Sequence, residues 1–239
     1  MLLIVGLGNP GREYESHRHN VGFMVADWLV AERGDGPFRA KFSGRIARLR
    51  PPASARGDEA PIVLEPDTFM NASGDAVQPA AAFFKCAVPD VVVIHDELDL
   101  PFGEIRLKKG GGHAGHNGLR SIMSRFGGDG DFCRVRFGIG RPPPDFRAEV
   151  ADWVLSPFSA EERVELPRLL KLAGQTVLDI AARGFSAAAN TRNTRPKPKK
   201  PRPEPSPDGD ARGGSVPAPD ADESRGRTGQ GKVGPAPRD

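Results

Sequence analysis

The chain opens with an apolar run that ends at a glycine. Leu2 to Val5 are aliphatic and Gly6 follows them, which is typical of a short strand that ends in a turn. After a polar stretch, apolar residues recur at helical spacing, at Val21, Met24, Val25, Trp28 and Leu29. That spacing places them on one face of a helix. A strand, a loop and a helix in this order indicate the opening of an α/β domain.

Hydrophobic runs and periodic segments alternate further along the chain. Four stretches have the composition of strands, namely Arg45 to Leu49, Ile62 to Leu64, Val91 to His95 and Val135 to Ile139. The third is a continuous β-branched run and is expected at the centre of a sheet. Helices are predicted over about Ala76 to Phe84, from near Asn117, and after the capping-box spacing Ser159-x-x-Glu162. The last of these is the final predicted helix, and Pro167 is expected to displace its start or to bend it.

These elements predict an α/β fold: a single domain with a mixed, mostly parallel β-sheet and helices on both faces. From about Thr194 the chain is rich in proline, glycine and charge, without aromatic residues. Such a segment buries too little apolar surface to offset its ordering entropy. We therefore predict a folded domain at residues 1–190 and a disordered tail at residues 191–239.

Charge is distributed unevenly between the two parts. The chain has 34 Lys and Arg against 31 Asp and Glu; residues 195–239 hold 10 and 7 of them, which leaves 24 of each sign in the folded part. The domain is therefore neutral, and any contact with nucleic acid must come from a local basic patch. The basic run Arg195 to Arg202 either contributes to such a contact or is a solvated linker.

The composition favours a cytoplasmic protein. No stretch approaches the roughly 20 apolar residues of a membrane span, and the opening strand has no basic flank of the kind a signal peptide carries. The cysteines, Cys86 and Cys133, lie far apart without ligand-like spacing, so buried thiols in a reducing compartment are expected.

The first loop, Gly6-Leu-Gly8-Asn-Pro-Gly11, formally matches the three-glycine fingerprint of dinucleotide-binding proteins. In that fold the helix begins inside the motif, so that its N-terminus faces the pyrophosphate. Here Pro10 and the polar residues that follow delay the helix until about Asn20. A tight turn that presents Asn9 at the carboxyl end of the first strand is the favoured interpretation.

Polar residues recur at such positions along the chain. They follow strands or begin helices, and they are Asn9, His19, Asn20, Asn71, Asp96, His116 and Asn117. Helix and turn capping explains any one of them, whereas together they are expected to converge on one edge of the sheet. A histidine and an aspartate without a nucleophilic serine or cysteine favour catalysis by activated water, with the carboxylate orienting the imidazole. The carboxamides then hold substrate or the developing oxyanion.

A metal site is the main chemical alternative. His113 and His116, with His95 and the carboxylates of Asp96, Glu97 and Asp99, have the donor types of a zinc or magnesium site. The glycine-rich loop gives the first two no helical spacing, and His95 should point away from its strand neighbour Asp96. The same carboxylates fit the acid pair of a glycosidase even less well than a metal site, because no aromatic residues that could stack on a sugar lie nearby in the sequence.

Basic residues alternate on two further segments. Arg106 and Lys108 share one face of a probable strand, and Arg134 and Arg136 share one face of another. Two such strands side by side would form a phosphate clamp. The alternative is that they are ordinary exposed edges of the sheet.

Taken together, the motifs resemble those of the bacterial peptidyl-tRNA hydrolase family. The matching stretches are Val5-Gly-Leu-Gly-Asn-Pro-Gly-Arg-Glu-Tyr14, Arg18-His-Asn-Val-Gly22, Phe69-Met-Asn-Ala-Ser-Gly74, His95-Asp-Glu-Leu-Asp-Leu-Pro101 through Gly118, and Arg134-Val-Arg-Phe-Gly-Ile-Gly-Arg-Pro142. The resemblance spans residues 1 to about 190. It implies a monomeric α/β enzyme, without cofactor or metal, that hydrolyses the ester between a peptide and the 3′ end of tRNA and so recycles tRNA from interrupted translation.

The resemblance also implies roles for individual residues. His19 matches the family's catalytic base and Asp96 the carboxylate that orients it. Substrate-binding positions correspond to Asn9, Tyr14, Met70, Asn71, His116 and Asn117, and positions that hold the 5′ phosphate of tRNA correspond to Arg106, Lys108 and Arg136.

Two departures from the family pattern are visible. His17 stands where threonine is more usual, which places a second imidazole near the proposed base, and the proline-rich tail has no counterpart in compact members. A rival hypothesis is a non-catalytic RNA-binding relative of the family, of the kind that takes part in intron splicing in organelles. The presence of His19, Asp96, Asn71 and Asn117 argues against it, because a scaffold does not need the full set.

Overall fold

The computed structural model describes residues 1–51 and 60–194. Within these ranges, seven strands form one sheet: β1 (Leu3–Gly6), β2 (Arg39–Ala40), β3 (Gly44–Arg48), β4 (Ile62–Pro66), β5 (Val91–Glu97), β6 (Ile105–Lys109) and β7 (Cys133–Gly138). The same ranges contain six α-helices: α1 (Val21–Arg33), α2 (Gly74–Phe83), α3 (Asn117–Arg125), α4 (Val150–Val154), α5 (Ala160–Arg183) and α6 (Phe185–Arg192). The predicted tail lies outside the described residues from residue 195 onward.

The strand order is β2-β3-β4-β1-β5-β7-β6. The four strands β4, β1, β5 and β7 are parallel neighbours at the centre, whereas β2, β3 and β6 join through antiparallel pairs at the two edges. This confirms the predicted mixed sheet, with β5 among its central strands. The carboxyl ends of the central strands meet at one edge, where open α/β sheets bind their ligands.

The core has two layers because side chains alternate across each strand. Ile4 of β1 packs with apolar residues of α1 and α5 on one face, and Leu3 and Val5 pack with those of α2 and α3 on the other. All three β1 residues are fully buried. The prediction of helices on both faces is therefore confirmed.

Several element bounds differ from the prediction. Asp96 was expected just after its strand, but β5 continues to Glu97 because its pairing with β7 extends that far. The capping box at Ser159 and Glu162 is formed, and Pro167 lies inside α5 without displacing its start. The prediction that this helix is the last one was wrong. Gly184, at φ 83°, ends α5, and the unpredicted helix α6 follows.

Candidate active site

The polar residues predicted to converge do so at the carboxyl edge of the central strands. A cavity of about 430 Å³, called the main cavity below because it contains the His19–Asp96 pair, is lined by His19, Asp96, His116 and Asn117, among others. A smaller groove of about 210 Å³ is lined by Asn9, Met70 and Asn71 together with His19 and Asn117. His19 and Asn117 line both, so the two spaces adjoin at these residues.

His19 is held by a buried hydrogen bond to Asp96. Its Nδ1 lies 2.8 Å from Oδ1 of Asp96, and both residues are less than 10% exposed. A neutral ring that donates from Nδ1 keeps Nε2 as a proton acceptor. Burial acts to lower the pKa of His19, but the Asp96 carboxylate more than compensates, and the pKa lies above the usual 6.5. Burial likewise acts to raise the pKa of Asp96, yet His19 and His116 hold it well below its usual value.

His116 donates a second hydrogen bond to the same carboxylate oxygen. Its Nε2 lies 3.0 Å from Asp96 Oδ1. Its Nδ1 accepts the backbone N–H groups of Gly118, at 3.1 Å, and Leu119, at 3.4 Å, at the N-terminus of α3. Because those donors require a lone pair on Nδ1, a neutral His116 carries its proton on Nε2. The start of α3 thus fixes the tautomer that points a proton at Asp96.

The same tautomer bears on the metal alternative. Among the described residues, His19, Asp96 and His116 are the group whose ligand atoms lie close enough to hold an ion, within 4.8 Å of one another. Metal bound at Nε2 of His116 would force a proton onto Nδ1, against the two backbone N–H donors. This donor set therefore does not fit a metal.

His95, a member of the metal set considered from the sequence, has a different environment. Its Nδ1 bonds the backbone oxygen of Asp96 at 2.7 Å, and its Nε2 is buried without a hydrogen-bond partner among the described residues. Its ring lies edge-on to His116, with the centroids 5.0 Å apart. Burial, with a smaller contribution from His116, lowers the pKa of His95 to about 3. The ring is therefore neutral at physiological pH.

Asn9 and Asn20 connect the first loop to the groove. The side chain of Asn20 accepts from the backbone N–H of Asn9 at 2.9 Å and donates to its carbonyl at 2.8 Å. Asn9 Oδ1 accepts the N–H of Met70 at 2.8 Å, which orients the amide so that Nδ2 is its remaining donor. The turn thus presents one amide donor beside His19, as its position after β1 predicted.

Asn71 and Asn117 complete the set of carboxamides along the groove. Asn71 lies in a 3-10 turn, Met70–Ala72, and Asn117 is the first residue of α3. The Oδ1 of Asn117 accepts from Arg120 at 2.6 Å, so its Nδ2 is the remaining donor. Tyr14 lines neither space and instead packs edge-on against the exposed Phe69 of the groove, with centroids 6.4 Å apart.

The basic residues lie on neighbouring strands, as the clamp prediction requires. Arg106 is directly opposite Arg136, and Lys108 is opposite Arg134. Like charges at facing positions destabilise a sheet unless something compensates them. Arg136 is paired with Glu97 at 2.8 Å and Arg106 with Glu104. Lys108 and Arg136 line the main cavity, whereas Arg106 does not.

Arg134 has a structural role instead. It is 2% exposed and donates to the carbonyl oxygens of Gly111 and Gly112 in the glycine-rich loop. It therefore holds the loop that leads to His116.

The sequence prediction missed the helix that covers the site and the residue that anchors it. Ala151 and Val154 of α4 line both spaces. After α4, the chain is held by the buried Arg18, which donates to Ser156 Oγ at 2.9 Å and also pairs with Glu162. The guanidinium lies 3.9 Å from the centroid of the Trp153 ring. The only sequence signal for α4 was a capping-box spacing at Glu149 and Asp152, and it is weak because glutamate is not a preferred N-cap.

His17 lies two residues before the ring that Asp96 orients. Burial lowers its pKa, and its Nδ1 is buried without a hydrogen-bond partner in the part of the chain that the structure describes. The ring packs edge-on against Tyr14 at 5.4 Å between centroids.

Comparison with known proteins identifies the family. The model of the peptidyl-tRNA hydrolase family matches residues 3–201. A peptidyl-tRNA hydrolase of Sorangium cellulosum is 60% identical, over 95% of this chain and 96% of its own, and one of Geotalea uraniireducens is 54% identical, over 70% and 83%. The crystal structure of peptidyl-tRNA hydrolase from Acinetobacter baumannii is similar with a TM-score of 0.69 and 35% identity, over 81% of this chain and 94% of that one. The chain belongs to the peptidyl-tRNA hydrolase family.

Proposed function

We propose that this protein hydrolyses the ester that joins a peptide to the 3′ end of tRNA, with His19 as the general base. The observation that carries the proposal is the His19–Asp96 pair, 2.8 Å apart, at the meeting point of two spaces. Membership of the family supports the substrate. The product tRNA returns to translation, so we expect the reaction to occur in the cytoplasm.

The tautomers of His19 and His116 determine which atom can act as the base. Nε2 of His19 takes a proton from a water molecule, whose oxygen attacks the ester carbonyl carbon, and Asp96 stabilises the imidazolium that forms. The tetrahedral intermediate collapses with cleavage of the bond to the ribose oxygen, which receives the proton from His19. His116 serves the same step by donating to Asp96 and keeping that carboxylate ionised.

Three carboxamides fit the peptide side of the ester. The bonds of Asn9 and Asn117 occupy their oxygens, which leaves the Nδ2 groups to donate to substrate, and Asn71 lines the same groove. Amide donors bind carbonyl oxygens and the oxyanion without introducing net charge. Met70 gives the groove an apolar wall, and Tyr14 supports it from outside through Phe69. A substrate without a peptide carbonyl is expected to bind poorly.

The basic strand pair fits the phosphate side. Lys108 and Arg136 share the main cavity with His19, and Arg106 extends the positive edge on β6. Cations on two neighbouring strands favour a bound phosphate group. We expect the enzyme to act as a monomer and without a cofactor. We also expect no metal, because the His116 tautomer opposes metal ligation.

The test is release of N-acetyl-amino acid from tRNA by the wild type and by His19→Ala. The wild type should release it, and His19→Ala should lose at least about 10²-fold in kcat, the lower range for loss of a general base. Far-ultraviolet circular dichroism and the melting temperature control for folding. Equal rates would exclude His19 as the base, and binding of tRNA with no turnover by the wild type would favour the RNA-binding alternative.

A further inference from the structure

A tight turn joins His113 to His116 in the glycine-rich loop. The backbone N–H of His116 donates to the carbonyl of His113 at 2.8 Å. Ala114 and Gly115, which lie between them, have φ of 47° and 83°, and positive φ at both central positions is a feature of the type I′ turn. The turn therefore fixes the backbone of His113 relative to His116, whose ring donates to Asp96.

The same turn sets the tautomer of His113. Its Nδ1 accepts the backbone N–H of Gly115 at 3.1 Å, so a neutral ring carries its proton on Nε2. The described residues offer no acceptor to that Nε2. Because the residue is only partly buried and lines the main cavity, it brings one unused N–H donor to the wall of that cavity.

Lys108 brings a positive charge to the same loop. A Cβ added at Gly111 would stand 3.0 Å from the Nζ of Lys108, so the lack of a side chain there leaves room for the ammonium group against the loop backbone. Arg134 holds this part of the loop from below by donating to the carbonyl oxygen of Gly112 at 2.7 Å. Lys108, Gly112 and His113 all line the main cavity. The ammonium group and the imidazole donor therefore border one space.

The position of His113 selects the part of the substrate that it contacts. It lines the main cavity together with Lys108 and Arg136, and it does not line the smaller groove that contains the carboxamides. An N–H group beside two cations suits an anionic acceptor, because hydrogen bonds to charged oxygens are stronger than those between neutral groups. His113 therefore belongs to the phosphate side of the site and not to the peptide side.

We propose that His113 is a further substrate-binding residue, whose Nε2–H donates to an oxygen of the phosphate group that Lys108 and Arg136 bind. The proposal rests on the proposed function and adds a directional donor to its phosphate site. A lysine acts on phosphate as a point charge, whereas an imidazole N–H on a fixed turn selects one orientation of the group. His113 acts on substrate binding and takes no part in proton transfer at His19.

The test uses two substitutions that separate the bond within the turn from the free donor. His113→Asn keeps a side-chain oxygen that can accept the N–H of Gly115, as asparagine does in turns, but it is too short to place a donor where Nε2 lies. His113→Gln places an amide N–H near that position and gives up the short bond within the turn. Ala114→Gly adopts positive φ readily and leaves both bonds of His113 in place, so it is the control for order in the loop.

KM and kcat are measured with N-acetyl-aminoacyl-tRNA, and the melting temperature is measured for each variant. His113→Asn should raise KM by roughly tenfold, the lower range for a hydrogen bond to a charged group, with kcat and the melting temperature unchanged. His113→Gln should restore most of that loss, and Ala114→Gly should match the wild type. A fall in kcat at constant KM would place the ring in the chemistry, and equal KM values for the Asn and Gln variants would leave it only a role in the turn; either result overturns the proposal.

A double-mutant cycle tests whether His113 and Lys108 bind one phosphate group. Lys108→Gln alone should raise KM and flatten the dependence of log kcat/KM on log salt by about 0.7 to 0.9. His113→Asn should then raise KM by a smaller factor in the Lys108→Gln background than in the wild type, because residues that share a partner are coupled. Strictly additive effects would show that the two residues act on separate groups, against the proposal. A wild type that releases no N-acetyl-amino acid would instead refute the proposed function.

Discussion

Replacing Asp96 by asparagine tests the central pair at little steric cost. The amide oxygen of the new residue can accept the bonds that His19 and His116 now donate to Oδ1, so the ring stays in place while the negative charge is removed. Asp75→Asn removes a carboxylate from a surface ion pair with Arg125 and is the matched control.

The expected loss of kcat is estimated from the distance between His19 Nδ1 and Asp96 Oδ1. At 2.8 Å and an effective dielectric constant of about 20, a full pair of unit charges interacts by roughly 6 kcal/mol. The imidazolium charge is spread over the ring, so about 3 to 5 kcal/mol is expected in the transition state, equivalent to roughly 10² to 10⁴-fold in kcat. The pKa of His19 also falls in the variant, because the group that raises it has gone. The acid limb of the pH profile of kcat/KM therefore moves to lower pH.

The assay is release of N-acetyl-amino acid from tRNA between pH 5 and 9, with KM measured at each pH. Asp75→Asn should behave as the wild type. If Asp96→Asn keeps more than half of the wild-type kcat, or if its acid limb moves to higher pH, the carboxylate does not stabilise the imidazolium and the reasoning is wrong.

Three other predictions follow from the same geometry. His116→Ala removes one of the two imidazoles that donate to Asp96. The carboxylate then acts on His19 alone and raises the pKa of that ring further, so the acid limb of kcat/KM should move to higher pH. An unmoved limb would contradict this. In the folded protein the pKa of His95 is lowered to about 3, so as pH falls below about 6.5 the unfolded state binds a proton that the native state does not. The free energy of unfolding should therefore decline by up to about 1.4 kcal/mol for each pH unit. Urea unfolding should show a shallower decline with falling pH for His95→Asn than for the wild type, and identical slopes would refute the prediction. Arg136→Gln should raise KM for the tRNA substrate, leave kcat unchanged and flatten the salt dependence by about 1, whereas an effect confined to kcat would place Arg136 in the chemistry.

The predicted fold was recovered well because most of its elements have a strong local pattern. The continuous apolar run of β5 reflects burial on both faces of the sheet, which leaves little choice of residue type. The helical spacing of apolar residues in α1 and α5 reflects burial of one helix face against that sheet. The short helices α4 and α6 were missed because each depends on tertiary contacts. α4 is stabilised by Arg18, which is more than 130 residues away in the sequence, and α6 by the pairing of Asn193 with Leu107.

The site could be predicted as a set of residue types but not as a network. The position of His19 before its helix and that of Asp96 at the end of its strand indicated that they would meet. Nothing in the sequence showed that His116 would donate to the same oxygen, since that depends on the N–H groups at the start of α3. Likewise, Arg134 and Arg136 look equivalent in sequence. Arg134 is buried and donates to the carbonyl oxygen of Gly112 in the glycine-rich loop, whereas Arg136 is paired with Glu97.

The long sequence separations within the site affect when activity can arise during synthesis. His19 and Asp96 are 77 residues apart, and Arg18 must find Glu162, 144 residues later. While ribosomes are still making this enzyme, its nascent chain is itself a peptidyl-tRNA. The covering helix α4 and its anchor at Glu162 are synthesised well after His19 and Asp96, so the assembled centre forms only once most of the folded part has been made.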